Sequence, residues 1–149
     1  GRKGCWEQYA SGNAMVRDAR AMATEKLFDA QVLLSLGDGT PEGVQGEHVT
    51  HAAQLGDPVA IEVLDRLGEW LGRGLASLSA ILDPQIFVIG GGASEASEFF
   101  LPSARASLAD RIIGKQYRPI PKIHVAELGN KAGIVGAADL ARIKFSSEN

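Results

Sequence analysis

The chain has 149 residues, 45% of them hydrophobic and 22% charged, with a formal net charge of −3 at pH 7. That length holds one domain with its own core. The mild acidity leaves no electrostatic footprint for nucleic acid or an anionic membrane surface. No stretch approaches the ~20 apolar residues of a spanning helix, and no signal-peptide pattern leads the chain. A single cysteine, Cys5, excludes an internal disulfide and suits a reducing cytoplasm.

The first predicted helix follows "GRKGCWEQYASG". Ser11 is its N-cap, Ala14, Met15 and Ala19 are its apolar face, and it runs to about Glu25. The weaker segment "LFDAQVLLSL" stops at "GDGTPEG", a cluster of turn residues read as a surface loop because no strand precedes it. "GEHVTHAAQLGDP" is a short helix ended by Gly56, and Pro58 opens the next. In that helix Ile61, Leu64, Leu67, Leu71, Leu75, Leu78 and Leu82 form one apolar stripe. Gly68, Gly72, Ala76 and Ala80 form a second ridge. Each helical glycine costs about 1 kcal/mol relative to alanine, so the ridge is expected to admit another backbone at close range. The helix breaks at Asp83-Pro84. "QIFVIGGG" reads as a short buried strand running into three glycines, and a helix follows to about Ile113 with a bend or restart at Pro102. "KIHVAEL" is a second strand, "AGIVGAADLARI" a last helix, and "KFSSEN" a fraying tail. Helix, strand, helix, strand, helix is parallel α/β logic, but two strands make a poor sheet. Something else is expected to complete it.

Few residues offer chemistry. The glycines of "IGGGAS" either bring backbone N–H groups against a nucleotide or make a tight strand-to-helix turn; they match neither G-x-G-x-x-G nor the Walker pattern. A lone cysteine is most often a small buried residue, and zinc needs about four ligands. His48 and His51 are expected to be solvated, and His124 to point away from the apolar face of its strand. None has metal-motif spacing to Cys5. Glu7 by spacing alone is an exposed helix residue. The other acids show no pairing for acid–base work, and no Ser–His–Asp arrangement is readable.

Three stretches together go further. "GRKGCWEQYASG" resembles the second half of the zinc-loop signature of the ROK family of sugar kinases and repressors, "ILDPQIFVIGGGASEA" is similar to that family's nucleotide-side segment, and "GIVGAADLA" to its final helix. Within the family the likeness is to the glucokinases of actinobacterial type. The resemblance implies an α/β, actin-like and ribonuclease-H-like ATPase fold, of which this chain is a helix-rich C-terminal lobe with part of its sheet missing. It implies a loop remnant over 1–12, a helical region over 13–82, a nucleotide-side α/β region over 83–145 and a tail over 146–149.

By the same resemblance Gly1 falls after the second cysteine of the zinc motif. Cys5 falls on the third, making it one of four ligands of a structural zinc whose other ligands lie upstream. Glu7 falls on the glutamate that binds sugar hydroxyls, and Gly90, Gly91 and Gly92 on the glycines beside the nucleotide. A side chain at Gly91 is expected to obstruct ATP without cost to the fold. The implied ligands are glucose and ATP with Mg, the setting is cytoplasmic, the assembly is a homo-oligomer (dimer or tetramer), and the missing N-terminal part is a separate candidate partner. The family's catalytic Asp and phosphate loops precede the motif, so no catalytic residue is assigned in this chain and it is expected to be inactive alone. The alternative within the family is a sugar-responsive transcriptional repressor.

Overall fold

In a computed structural model, which describes residues 3–147, helices dominate. Gly1 lies outside the described residues, as do 148 and 149 of the expected tail. Helix α1 spans Gly12–Glu25, and Ser11 caps it as expected, its Oγ accepting from Ala14 N at 3.2 Å. Helix α2 covers only Gln31–Leu36. The "GDGTPEG" loop is tied to itself: the Asp38 carboxylate accepts from Thr40 N at 2.9 Å and from Thr40 Oγ1 at 2.7 Å. Those two bonds hold the Asp38 carboxyl below its ordinary value.

Helix α3, Gly46–Gln54, differs from expectation at His48. That side chain is half-buried rather than free in solvent: its Nδ1 accepts from Gln45 N at 3.2 Å and closes a capping box at the helix start. His51 is exposed.

Helix α4, Pro58–Leu82, is the spine. Asp57 caps it, accepting from Ala60 N at 3.0 Å with Oδ1 and from Leu33 N at 2.9 Å with Oδ2, so one buried carboxylate ties α2 to α4. The leucine stripe is buried at Leu64, Leu67 and Leu75, while its ends, Ile61 and Leu82, reach solvent. The glycine ridge does what its spacing predicts. A Cβ on Gly68 would strike the Phe100 carbonyl, and one on Gly72 the Ala104 carbonyl and the Ser107 Cβ. Both contacts belong to α5, Ser97–Arg111, whose Ser107 Oγ also donates to Glu69 O at 2.8 Å. The ridge is thus occupied within the chain. Helix α5 runs from Ser97 to Arg111 through Pro102 without a restart, the exposed proline removing one i→i−4 hydrogen bond.

Strands β1, Ile86–Ile89, and β2, Lys122–Val125, pair in parallel, Ile86 opposite Lys122 and Ile89 opposite Val125. His124 is exposed and Ile123 buried, so the histidine does face away from the core. The expectation of a buried β1 fails: Ile86 is 51% and Val88 65% exposed. Phe87 and Ile89 pack on the helical core, while the opposite face of this two-stranded sheet is uncovered. Helix α6, Ala132–Ser147, runs on through the first part of the expected tail, and none of its described residues is buried.

Candidate functional site

Among the described residues of "GRKGCWEQYASG", Trp6–Gln8 form a 3-10 turn entered from Cys5 in extended conformation. Gln8 N bonds Cys5 O at 2.9 Å and Ala10 N bonds Trp6 O at 3.0 Å, which aims the segment into the Ser11 cap of α1. Glu7 is exposed and borders a small cavity of about 200 Å³ together with Gln8, Ser11, Asn13 and Arg17. Cys5 is exposed, against the ordinary expectation for a lone cysteine. Among the described residues no three His, Cys, Asp or Glu side chains come together as a metal site. A structural zinc needs about four ligands, so Cys5 and the other described residues do not make up a complete zinc site.

The glycines of "IGGGAS" leave the carboxyl end of β1, the end where open parallel sheets bind ligands. Gly91 has φ +106° and ψ 179°, a conformation that essentially only glycine adopts. Ser94 locks it, with Oγ and N both donating to Gly91 O at 2.6 and 3.0 Å. Space is open where a Gly91 side chain would point, so the glycine requirement here is conformational. The expectation that Gly91 tolerates a side chain without cost to the fold is therefore corrected. At Gly90 a Cβ would meet only Ala126 Cβ, at an ordinary 3.5 Å. Gly92 begins the 3-10 turn Gly92–Ala96, which leads into α5 and packs against α3.

Between the start of α1, one face of α3 and this turn lies a cavity of about 670 Å³, within the range of small-molecule sites. Asn13, Glu47, Thr50, His51, Gln54 and Glu95 supply its polar groups, with Met15 and Val16 on its apolar side. No lysine or arginine lines it, so it suits an uncharged polar group better than phosphates. Asn13 borders both this cavity and the one beside Glu7. Glu7 and Glu95, far apart in sequence, thus border two cavities that share Asn13 at the start of α1. Sequence reasoning did not single out Asn13, Arg17, Thr50 or Glu95, because isolated polar residues on separate elements carry no spacing signal.

Among the described residues no helix is long and apolar enough to cross a membrane. The profile of the ROK family matches residues 1–144. Over 142 residues the chain is 49% identical to a glucokinase of Streptomyces coelicolor and 32% identical to a glucokinase of Thermotoga maritima. Each match covers 95% of this chain but only 45% and 44% of the relative, so the chain spans less than half of their length. The crystal structure of a ROK family glucokinase from Streptomyces griseus in complex with glucose and AMPPNP superposes with a TM-score of 0.89 at 48% identity, covering 95% of this chain and 46% of that one. The fold is accordingly that of the C-terminal part of an actin-like ATPase fold.

Proposed function

This chain belongs to the ROK family, and on that premise we propose that it is the C-terminal part of a glucokinase-type sugar kinase. The whole enzyme transfers the γ-phosphoryl group of ATP to the 6-hydroxyl of glucose. The observation that carries this reading is the pair of cavities that share Asn13, one bordered by Glu7 and the other by Glu95 of the turn that follows the glycines. A sugar and a nucleotide held on the two sides of one helix start are close enough to react, which is most of what phosphoryl transfer asks of a protein.

In this reading the Glu7 carboxylate accepts hydrogen bonds from two adjacent sugar hydroxyls, a charge-assisted contact that also penalises ligands lacking them. The loop over Gly90, Gly91 and Gly92 keeps the approach to the nucleotide free of side chains. The cavity lined by Thr50 and Glu95 takes the uncharged nucleoside end, leaving the phosphates to groups outside this chain. Magnesium supplies charge neutralisation on those phosphates, and no described residue is assigned to it. No general base is assigned here either, so the chain alone is inactive and needs the remaining length of the family fold. Cys5 contributes a single ligand to a structural zinc completed there. A chain with one reduced thiol fits a cytoplasmic enzyme.

The test is calorimetric titration of glucose and of AMPPNP into the full-length protein and its Glu7→Gln variant. The expected outcome is glucose affinity weakened about tenfold or more, with AMPPNP affinity unchanged. Equal losses for both ligands would remove Glu7 from the sugar site. Sugar binding without any phosphoryl transfer to glucose would turn the reading toward a repressor of the same family.

A further inference from the structure

The residue before Glu7 is seated in an unusual way. Trp6 lays its indole across α4 where the helix carries Gly74. A Cβ at that position would collide with Trp6 Cε2, Cζ2 and Nε1, so only glycine admits the ring. The indole Nε1–H donates to the Trp70 carbonyl at 2.8 Å, using that oxygen's second lone pair. Tyr9 stacks on the Trp70 ring at 4.3 Å between centroids, and the Arg73 guanidinium lies over the same ring at 4.5 Å. The turn Trp6–Gln8 buries none of its residues. The rigid aromatic contacts on either side of Glu7, at positions 6 and 9, therefore set where its carboxylate points, since the turn has no core of its own to do so. Gly74 is also not explained by the ridge that receives α5, which Gly68 and Gly72 occupy.

We propose that Trp6, docked on the bare backbone of α4 at Gly74, is a positioning residue for sugar recognition that fixes the direction of Glu7. The proposal rests on the reading of Glu7 as a sugar ligand. The indole couples the loop to the same helix that carries the core, so displacement of the ring rotates the one-turn helix that presents the carboxylate. A shift of about 1 Å in such a group is enough to cost a large factor in productive binding.

The experiment compares Gly74→Ala, Trp6→Ala, their double variant, Trp6→Phe and Glu7→Gln in the full-length protein. Initial rates are measured against glucose and against ATP, and the indole environment is followed by tryptophan fluorescence. Gly74→Ala is expected to raise the KM for glucose about tenfold, with the KM for ATP within about twofold. Trp6→Ala gives a similar rise, and the double variant adds nothing further, because both changes remove one contact. Trp6→Phe keeps the ring contact, folds even where Gly74→Ala does not, and gives an intermediate rise.

Glucose KM unchanged in Gly74→Ala and Trp6→Ala, with Glu7→Gln still raising it, overturns the positioning role and leaves the sugar-site reading standing. Equal rises for glucose and ATP overturn it as well, since they describe general loosening. Unchanged glucose kinetics in Glu7→Gln itself sink the sugar-site reading and this proposal with it.

Discussion

The α4–α5 pair and the β1–β2–α6 region both carry apolar faces and end in opposite states. Between α4 and α5 the backbone of one helix lies in a groove that two glycines leave open on the other, with Phe100, Leu108 and Leu64 fully buried around it. In the second region Ile86, Val88, Ile134 and Leu140 are all more than half exposed. Close helix packing can be completed by one chain with itself, since both surfaces are present and complementary. A two-stranded sheet has one face to spend and a second that it cannot cover alone.

The largest effect expected from breaking this contrast is Gly72→Val. The added side chain meets backbone atoms of α5 that cannot move independently, so a loss of about 3 kcal/mol or more is expected in urea unfolding of the 149-residue chain. A neutral result would mean that the helices are not packed at this distance. Asp57→Ala follows, with an expected loss of about 2–3 kcal/mol, because it leaves the buried N–H groups of Leu33 and Ala60 without their acceptor.

A smaller effect comes from Glu62, whose carboxyl is held below its ordinary 4.5 chiefly by the hydrogen bond from Lys26 Nζ at 2.6 Å, with Arg66 also paired to it. Its folded value is lower than its unfolded one, so the contribution is complete above about pH 4.5 and fades as pH falls through the lowered value. Both partners are more than a third exposed, which limits the term to under about 1 kcal/mol. Comparing Glu62→Gln with the parent at pH 7 and pH 3 reads it as a gap that closes in acid. A gap that widened would reverse the assigned sign.

Smallest is Leu140→Gln on α6, expected to change the stability of the 149-residue chain by no more than about 0.5 kcal/mol. The same substitution in the full-length protein sharpens the comparison. A clearly greater loss there would place a partner surface on this face of α6, and an equal one would leave it at the surface.

Much of the helical half was legible in the residues. Ser11 caps α1 because a hydroxyl before an apolar helix start has one good use. Gly68 and Gly72 announced a close neighbour because glycine is costly in a helix without one. The spacing identified the need, and the structure identified α5 as the partner. At the candidate site Cys5, Glu7 and the three glycines stood out by resemblance, while Asn13, Thr50 and Glu95 did not. Their place depends on α1, α3 and the turn after β1 arriving together, and no local pattern encodes that arrival.

What the sequence determined by itself was local: helix caps, helix periods, and the glycine and proline breaks that end helices. Those follow from sterics and hydrogen bonding within a few residues. Only the tertiary structure decided which apolar surfaces are covered. The run "IFVI" states that β1 prefers burial but not whether a cover exists, because burial is a relation between two surfaces and a strand's sequence describes one of them. The same holds for Trp6, whose seat on α4 is made by the missing side chain of a residue 68 positions away, at Gly74.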